Sequence, residues 1–467
     1  MGGPTPQELS SQRVLVVGLA RSGVAAVELL LRSGASVVGT DLRSADELGV
    51  DPIDWSDRGV ELRLGSQTPD LLDGIDLVVL SPGVPLESPL PRAARERNVR
   101  TIGELELAYG ASSGRWLAVT GTNGKTTTTA LLGELVKTVG VPVAVAGNIG
   151  LALSGEVEGV PADGFIVAEV SSFQLDTIES FSPHVGVLLN VTEDHLDRYE
   201  SFDAYRRSKA RVFENQSTSD FAVLNFDDAG VAALEADVAA TVIPVSTERE
   251  VRHGVFLRDD AIISQVGGRE QKIITASEVG ILGPHNLSNA LAATAAAVAV
   301  GVTPADAAQV LAGFRSLEHR LEDLGEIDGV AYVNDSKATN VDSVSCALRS
   351  FDAPIVLIAG GKDKGTDYSP LRGTIADRVR HVVLIGEAAE KMERTFEGAV
   401  PIERVASLGE AVLAARRAAV PGDVVLLSPA CASFDMFDDF EDRGRQFKDL
   451  VAALSRKERG SVAGGGK

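Results

Sequence analysis

Short apolar runs alternate with helix-forming segments along the first hundred residues of the chain, and this alternation limits the fold more than any other feature. The runs "RVLVVGLA", "ASVVGTD" and "DLVVLSPGV" are typical of buried strands, and the amphipathic segment "VAAVELLLRSG" lies between the first two. Strands separated by helices at this spacing pair in parallel with right-handed crossovers. The pattern predicts a Rossmann-like unit, in which ligands bind at the carboxyl ends of the strands.

Two further series of the same kind follow. The second opens with "WLAVTGTNGKT" and ends in the alanine-rich segment "NALAATAAAVAVG", and the third starts near Leu317 and contains "PIVLIAGGKDKG" and "DVVLLSPACAS". A chain of 467 residues also exceeds what a single hydrophobic core accommodates. We therefore predict three consecutive α/β domains, Rossmann-like, P-loop ATPase-type and Rossmann-like, over residues 1–106, 107–316 and 317–467.

Charge and cysteine usage exclude several classes of partner. The net charge of -22 at pH 7 argues against a broad nucleic-acid-binding surface and against an anionic membrane surface. The two cysteines make no disulfide framework, and the sequence shows neither a secretory leader nor an apolar run of membrane-spanning length. We expect a cytoplasmic protein with no nucleic-acid partner and no membrane insertion, which holds any anionic substrate by local positive charge.

The segment "GTNGKT" joins a predicted strand to a predicted helix. The backbone N–H groups of such a loop cradle phosphate oxygens, while Lys125 is placed to reach the β- and γ-phosphates and Thr126 to ligate Mg²⁺. Val119 stands where the full phosphate-loop pattern has a glycine, so the loop is a shortened variant. The four threonines from Thr126 onward have poor helix propensity, so helix stability does not explain them. The context favours a phosphate site over a chance glycine-rich turn.

A second glycine-containing element, "GLARSG", follows the first strand, and Asp41 ends the next one. This arrangement resembles a dinucleotide-binding fingerprint, except that Ala20 replaces the middle glycine, which lets the backbone approach a pyrophosphate. Three interpretations remain open: a nicotinamide site, a nucleotide-sugar site, or a plain strand-to-helix turn.

Metal-ligand chemistry is indicated at two strand ends of the central series. Glu169 lies at the end of an apolar strand, and "NVTEDHLDRY" places Asn190, Asp194, His195 and Asp197 after another. A carboxylate and an imidazole at neighbouring strand ends suit Mg²⁺ near a triphosphate. The alternative for His195 is a purely structural role.

The segment "DAYRRSKARVFEN" places a lysine on an apolar face. Lys209 lies on the same helical stripe as Tyr205, Val212 and Phe213. An inward lysine should have a lowered pKa. It then either reaches a bound phosphate or is chemically modified as a neutral amine; extension of the side chain to solvent is the simplest interpretation from the residues alone.

Polar residues also cluster in the last part of the chain. Asn286 and Asn289 lie one turn apart at a helix start, where a cap needs only one of them. Four further residues lie near predicted strand ends of the third domain: Arg320, Asp335, Lys337 and Lys364. Solvated surface charge is the alternative for each, but their placement favours a focused basic pocket.

Eight segments in this order resemble the Mur ligases of peptidoglycan synthesis over almost the whole chain: "GTNGKTTTT", "GNIG", "EVSSFQLD", "NVTEDHLDRY", "HNLSNALAA", "HRLE", "NDSKATN" and "LLSPACASFDMF". The last two are typical of the members that add D-glutamate. The resemblance implies one domain for a UDP-sugar, a central ATPase domain, and a third that brings ATP and the amino acid together. The implied substrates are UDP-N-acetylmuramoyl-L-alanine, D-glutamate and ATP, and we expect a monomer.

The resemblance also implies roles for particular residues. The implied catalytic residues are Lys125, Glu169, His195, Lys209 and Lys337. Those on ATP are Gly121, Thr122, Asn123, Gly124, Lys125, Thr126, Thr127, Asn286, Asn289, Arg320 and Asp335. Those on the UDP-substrate are Ala20, Arg21, Ser22, Asp41, Arg43, Gly83, Asn148 and His195, and those on D-glutamate are Lys337, Thr339, Lys364, Ser433, Phe434 and Phe440. Two Mg²⁺ ions are implied, with Thr126, Glu169 and His195 as ligands and Lys209 in the position of the family's N-carbamylated lysine.

The chain departs from the family pattern at Ala20, Arg21 and Leu42, all in the first domain. The implied reaction converts an unreactive carboxylate into an acyl phosphate at the expense of ATP, after which the amine of the amino acid displaces phosphate. The base that deprotonates the amine is not identified, and His195 is a candidate only if it is not a ligand. The rival interpretations are another carboxylate–amine ligase, such as folylpolyglutamate synthase or a different Mur ligase, and a nucleotide-dependent dehydrogenase or regulatory module built on "GLARSG".

Overall fold

The fold was analysed in a computed structural model that describes residues 3–194, 198–281 and 283–463, with side chains described up to residue 454. His195 and Asp197, which the sequence analysis singled out, lie outside the described residues. Among the residues that are described, no helix is long and apolar enough to cross a membrane.

The first domain is a parallel five-stranded sheet in the order β3-β2-β1-β4-β5. Its strands are β1 (Arg13–Val17), β2 (Ser36–Asp41), β3 (Val60–Leu64), β4 (Leu77–Leu80) and β5 (Arg100–Gly103). Its helices are α1 (Pro6–Leu9), α2 (Arg21–Arg32), α3 (Ala45–Leu48), α4 (Pro52–Asp57), α5 (Pro89–Glu96) and α6 (Glu104–Ala111). Apolar side chains are buried on both faces of the sheet, as the continuous apolar runs predict, and the Rossmann-like prediction is confirmed.

The central domain contains a nine-stranded sheet in the order β14-β13-β12-β11-β10-β9-β6-β8-β7. Its strands are β6 (Arg115–Thr120), β7 (Val143–Gly147), β8 (Phe165–Glu169), β9 (Val185–Leu188), β10 (Phe221–Asn225), β11 (Thr241–Ser246), β12 (Val255–Arg258), β13 (Ala261–Ser264) and β14 (Gln271–Thr275). Its helices are α7 (Lys125–Lys137), α8 (Leu153–Glu156), α9 (Ser172–Leu175), α10 (Phe202–Ala210), α11 (Ala229–Ala232), α12 (Pro284–Ala299) and α13 (Pro304–Gly313).

The last three strands of this sheet pair antiparallel, which the sequence analysis did not predict. The turn between β12 and β13 is formed by Asp259 and Asp260, whose φ angles are +45° and +61°. Two positive φ angles in a two-residue turn match the right-handed twist of an antiparallel pair. The other strands are parallel, so their carboxyl ends meet at one edge.

The third domain has a six-stranded sheet in the order β15-β16-β20-β17-β18-β19, in which only the β15–β16 pair is antiparallel. Its strands are β15 (Glu322–Ile327), β16 (Val330–Asn334), β17 (Ile355–Gly360), β18 (Val379–Ile385), β19 (Ile402–Arg404) and β20 (Val424–Leu427). Its helices are α14 (Val341–Leu348), α15 (Leu371–Arg378), α16 (Ala389–Phe396), α17 (Leu408–Ala418) and α18 (Phe440–Ala463). Short 3₁₀ helices occur elsewhere in the chain at Pro69–Leu72, Val157–Gly159, Arg211–Phe213, Ala233–Ala236, Val266–Gly268 and Ala276–Glu278.

The three domains fall into two compact units of the chain. The first and central domains form one unit together, which extends to Glu278 and includes Ser288–Ala312, whereas Val279–Leu287 and the chain from Gly313 onward form the other. The predicted boundaries at 106 and 316 stay predictions.

Candidate active site

The segment "GTNGKT" forms a tight loop between β6 and α7, as predicted. Gly124 precedes the first helical residue with φ of +83°, a conformation that favours glycine. A Cβ atom on Gly124 would lie only 2.2 Å from Oδ1 of Asn289. Glycine is therefore required here for both its backbone angle and its size, and the loop lies against the residue that the sequence analysis assigned to ATP.

Asn190, which follows β9, holds this loop in place. Its Oδ1 accepts from the backbone N–H of Asn123 at 2.8 Å, and its Nδ2 donates to the Asn123 carbonyl oxygen at 3.1 Å. The N–H of Thr122 donates to the backbone carbonyl of Asn190 at 2.9 Å. This reciprocal pairing fixes the loop before any ligand binds, which reduces the entropy lost on binding.

Lys125 folds back over its own loop. Its Nζ donates to the carbonyl oxygens of Gly121 at 2.9 Å and Thr122 at 2.8 Å. The cation is thus held at the strand end where phosphate oxygens are expected to bind.

Lys209 lies on the buried face of α10, as the helical stripe predicts, and its exposed fraction is 2%. Its Nζ donates to the Gly121 carbonyl oxygen at 2.8 Å and lies 4.5 Å from the centroid of the Tyr205 ring. Burial and then the nearby charge of Lys125 lower the pKa of Lys209 well below its ordinary value. The interpretation that this side chain extends to solvent is therefore wrong, because the amine is directed into the interior.

Glu169, the last residue of β8, presents a carboxylate oxygen that lacks a donor. Its side chain is buried; Oε1 accepts from Nδ2 of Asn148 at 2.8 Å, and Oε2 has no hydrogen-bond partner among the described residues. The same holds for the buried hydroxyl groups of Thr128 and Thr129. A buried carboxylate oxygen without a donor suits a hard divalent cation, so this residue fits Mg²⁺. The ligand role of His195 stays a prediction.

A pocket of about 620 Å³ gathers the predicted UDP-substrate residues at the carboxyl ends of the first sheet and the rim of the central one. It is lined by seven of the predicted residues: Ala20, Arg21, Ser22, Asp41, Arg43, Gly83 and Asn148. Leu42 and Gln174 also line it, and the sequence analysis did not assign them to the substrate. The residues that line this pocket all belong to one compact unit of the chain.

Asp41 organises the first-domain side of that pocket. Its Oδ2 accepts from the Leu19 N–H at 2.8 Å and from Nη2 of Arg43 at 2.9 Å, and its Oδ1 accepts from the Arg43 N–H and Nε at 3.0 and 3.1 Å. Partial burial raises the pKa of Asp41, but the hydrogen bonds from Arg43 and Leu19 outweigh it and lower the pKa to about 2. The carboxylate is therefore ionised at every physiological pH.

In the third domain, Asp335 follows β16 as a buried carboxyl group. Its Oδ2 accepts from the Ser428 hydroxyl at 2.8 Å and its Oδ1 accepts from the Leu321 N–H at 3.2 Å. Burial raises the pKa of Asp335 to about 7 against the opposing effect of these hydrogen bonds. Nearby, His319 and Leu321 flank Arg320 with φ angles of +64° and +42°. Such strained backbone in residues other than glycine is concentrated at functional sites.

The predicted amino-acid residues share this edge of the third sheet. Nζ of Lys337 lies 3.5 Å from the centroid of the Phe440 ring, and the Lys337 N–H donates to the His319 carbonyl oxygen at 3.1 Å. Ser433 is buried, whereas Phe434 is 73% exposed. Thr339 follows Lys337 closely, with its N–H donating to the Lys337 carbonyl oxygen at 2.8 Å, and Lys364 is exposed in the loop after β17.

The predicted adenine-side pair, Asn286 and Asn289, lies one turn apart on α12, and both side chains are buried. Arg443, a fully buried arginine of α18, was not among the predicted residues. It stands in the charged run "FEDRGRQF", which is typical of a solvated helix face. No local signal distinguished Arg443 from its neighbours.

Three family models match the chain: "Mur ligase MurD-like, N-terminal domain" over residues 12–103, "Mur ligase middle domain" over 119–297 and "Mur ligase, glutamate ligase domain" over 319–431. The chain is 48% identical over 452 residues to the UDP-N-acetylmuramoylalanine–D-glutamate ligase of Geobacter metallireducens, which covers 97% of this chain and 100% of the relative. It is 46% identical over 452 residues to the protein of that name from Pelotomaculum thermopropionicum, covering 96% and 99%.

Solved structures show the same architecture. The UDP-N-acetylmuramate–alanine ligase MurC of Thermotoga maritima shares 20% sequence identity with the chain at a TM-score of 0.58, over 95% of this chain and 99% of that one. At this identity the likeness shows the fold alone. The predicted architecture of three consecutive α/β domains is confirmed.

Proposed function

The chain belongs to the Mur ligase family, and we propose that it is the ATP-dependent ligase that joins D-glutamate to UDP-N-acetylmuramoyl-L-alanine in peptidoglycan precursor synthesis. One structural observation carries the chemistry. Among the described residues, one oxygen of the buried Glu169 carboxylate has no hydrogen-bond donor. Glu169 ends β8, and the neighbouring strand β6 leads into the loop that holds Lys125. This combination suits the transfer of a phosphoryl group from a nucleotide held with a divalent cation.

The proposed reaction has two steps. The terminal L-alanine carboxylate attacks the γ-phosphate of ATP, forming an acyl phosphate and releasing ADP. The amine of D-glutamate then attacks the acyl carbon, and phosphate leaves as the amide bond forms. Positioning and charge neutralisation supply most of the catalysis in such a reaction.

The central domain provides the phosphate site. The N–H groups of the loop up to Gly124 and the ammonium of Lys125 bind the triphosphate, with Thr126 and Glu169 as ligands for Mg²⁺. A Mg²⁺ ion held by these residues would neutralise charge on the triphosphate and polarise the transferred phosphoryl group. The remaining residues proposed for ATP are those in the block from Gly121 to Thr127, together with Asn286, Asn289, Arg320 and Asp335.

We further propose that Lys209 is N-carbamylated and contributes to a second Mg²⁺ site. Carbamylation requires an unprotonated amine, and burial lowers the pKa of this one. A protonated Lys209 would be a buried cation close to the cation of Lys125, which is unfavourable. A carbamate on Lys209 is instead an anion, which the charge of Lys125 stabilises.

The two other substrates occupy sites in different domains. We assign the UDP-sugar to the pocket of about 620 Å³ lined by Asp41 and Arg43, since the glycine-containing turn and a carboxylate at the next strand end suit a nucleotide. We assign D-glutamate to the third domain, where Lys337, Lys364 and Ser433 supply cations and a hydroxyl for its carboxylates. Both cysteines are free thiols, which supports a reducing, cytoplasmic setting; a monomeric state stays a prediction.

An amino-acid panel tests the proposal. ADP and phosphate release are measured with ATP, Mg²⁺ and UDP-N-acetylmuramoyl-L-alanine, against D- and L-glutamate and a set of other D- and L-amino acids. We expect release that depends on the UDP-substrate and on D-glutamate, with a stoichiometry of one ADP per amide bond. Release with a different amino acid would identify another carboxylate–amine ligase, and nicotinamide binding without any release would refute the proposal.

A further inference from the structure

Arg443 of α18 is a fully buried arginine whose guanidinium group meets two loops of the third domain. Nε donates to the Ser336 hydroxyl at 2.9 Å, and Nη2 donates to the Ser336 carbonyl oxygen at 2.8 Å. Nη1 donates to the carbonyl oxygens of Cys431 and Ala432 at 3.2 and 3.4 Å, and Nη2 also reaches that of Cys431 at 3.2 Å. One side chain therefore fastens the loop after β16 to the loop after β20.

Each of these loops carries a residue that we assign to D-glutamate. Ser336 directly precedes Lys337, and Ala432 directly precedes Ser433. A third loop passes close to the guanidinium, since a Cβ atom added to Gly361 would lie 3.2 Å from Nη1 of Arg443. This is the loop that contains Lys364. All three amino-acid-binding segments thus converge on one buried group.

The rest of the same helical turn supports the same loops. The hydroxyl of Ser336 donates to the Phe440 carbonyl oxygen at 2.8 Å, and the ring of Phe440 lies under Nζ of Lys337. A Cβ atom on Gly444 would lie 2.2 Å from Nδ1 of His319, so the helix admits the His319 ring only because position 444 is glycine. The first turn of α18 therefore acts as a template for the binding edge of this domain.

In the part of the chain that the structure describes, the buried guanidinium group of Arg443 forms its hydrogen bonds without a carboxylate acceptor. All the hydrogen-bond acceptors given above for the Arg443 guanidinium are neutral oxygens. The carboxyl groups of Asp335 and Asp435 act on the charge only through space, and burial outweighs them. Burial lowers the pKa of Arg443 to about 10, which still leaves it protonated at neutral pH. A planar cation with donors in fixed directions can set the spacing of several carbonyl groups at once, which an apolar side chain cannot do.

We propose that Arg443 is a positioning residue for the amino-acid site, which sets the spacing between Lys337, Ser433 and the loop of Lys364 without touching the substrate. This inference rests on the proposed function, because it assumes that these residues bind D-glutamate. In this role, Arg443 affects the affinity for D-glutamate although it is buried beneath the loops that bind the amino acid.

The test is the Arg443→Lys variant, which keeps the charge and loses the fork of donors. We expect the KM for D-glutamate to rise at least about tenfold, because several charge-assisted hydrogen bonds that hold the loops are lost. The KM for UDP-N-acetylmuramoyl-L-alanine should stay within about twofold, because its proposed residues lie in the first and central domains. Arg445→Lys, on the exposed side of the same helix, is the matched surface control.

General destabilisation of the helix is controlled with Phe447→Leu, a change in the buried core one turn further along α18. Melting temperatures are measured for both variants by circular dichroism. If Phe447→Leu raises the KM for D-glutamate as much as Arg443→Lys at an equal loss of melting temperature, the positioning role is overturned. If Arg443→Lys does not fold, Ser336→Ala is the second variant, which removes the Nε acceptor together with the hydroxyl's hydrogen bond to the Phe440 carbonyl oxygen. It should raise the same KM about threefold or more, and an unchanged KM there would also overturn the inference.

The two proposals fail in distinguishable ways. Absence of D-glutamate-dependent ADP release from the wild-type enzyme would refute the proposed function. A wild-type enzyme that uses D-glutamate, with variants that leave its KM unchanged, would refute the role of Arg443 alone.

Discussion

The ammonium groups of Lys125 and Lys209 donate to the same acceptor, the carbonyl oxygen of Gly121, at 2.9 and 2.8 Å. Two like charges on one carbonyl oxygen repel each other strongly in a buried site, by about 4 kcal/mol for a pair at ~4 Å with an effective dielectric constant of ~20. The repulsion is relieved when one amine is neutral. Burial, and then the charge of Lys125, lower the pKa of Lys209, and in our proposal this favours the unprotonated amine that carbamylation requires.

Removal of the charge at position 125 should abolish the first chemical step. We expect Lys125→Ala to lower the rate of ADP release by about 100- to 1,000-fold or more, as for the loss of a donor to a developing charge. Binding of the UDP-substrate, measured by calorimetry, should be retained. Lys137→Ala, an exposed lysine at the other end of α7, is the control and should be fully active. Normal turnover by Lys125→Ala would exclude the proposed role of the loop.

Lys209→Ala should be inactive and should recover part of its activity when short carboxylates such as acetate are supplied. The added anion would replace the carbamate that the missing side chain carries in our proposal. Lys209→Arg, which keeps a cation that cannot be carbamylated, should be inactive and should not be rescued. Full activity of Lys209→Ala without any added carboxylate would eliminate the carbamate.

Local patterns in the sequence located the phosphate loop and the buried lysine because each depends on neighbours within one or two turns. The spacing of Tyr205 and Lys209 placed both on one helical stripe, and both side chains are buried. The simplest interpretation from the residues alone, extension of the lysine to solvent, was wrong. The alternation of apolar strands with helices predicted the three α/β domains for the same reason. These features follow from periodicity, which a short window of sequence contains.

Contacts between residues that are far apart in the sequence produce no local pattern that could predict them. Arg443 and Ser336 are separated by 107 positions, and the reciprocal pair of Asn123 and Asn190 by 67. A charged residue in a charged run predicts a solvated face, so burial of Arg443 became evident only when the loops around it were placed. The antiparallel strands β12–β14 were missed because each is only four or five residues long and ends in a polar residue.

Glu169→Gln should weaken the binding of Mg²⁺ while keeping a side chain of the same size. The carboxamide keeps the size of the residue and its contact with Asn148 but loses the anionic oxygen that has no donor. We expect the Mg²⁺ concentration for half-maximal ADP release to rise by at least about tenfold, as is typical when a metal site is perturbed. Glu134→Gln, an exposed change on α7, should leave the Mg²⁺ titration unaltered. An unchanged titration for Glu169→Gln would remove Glu169 from the metal site.

Asp335 should make the stability of the protein depend on pH in a specific direction. Its pKa is about 7 in the folded state against an ordinary value of 3.8, so between these values the folded state holds a proton that the unfolded chain has released. The free energy of unfolding therefore falls as pH rises through this window, by up to ~1.4 kcal/mol per pH unit from this group. Asp335→Asn removes the effect.

The measurement is the melting temperature of Asp335→Asn minus that of the wild type. This difference should be larger at pH 7 than at pH 5, because only the wild-type group loses stability between them. Asp323→Asn, an exposed carboxylate of β15, should show no such trend. A difference that is the same at both pH values would show that Asp335 has no raised pKa.

Asp41 should determine affinity for the UDP-substrate through Arg43. Its two oxygens accept from the Arg43 side chain and from the Leu19 N–H, so Asp41→Asn leaves the guanidinium without its anionic partner at the rim of the pocket. We expect the KM for the UDP-substrate to rise about tenfold or more, because hydrogen bonds to charged groups contribute about 1.5–3 kcal/mol and 1.4 kcal/mol corresponds to a factor of ten. The KM for ATP should not change, and Asp46→Asn, an exposed carboxylate of α3, should match the wild type.

Since the pKa of Asp41 is about 2, the wild-type KM for the UDP-substrate should not change with pH through this group between about pH 5 and 8. An Asp41→Asn enzyme with wild-type KM would place the UDP-substrate outside this pocket.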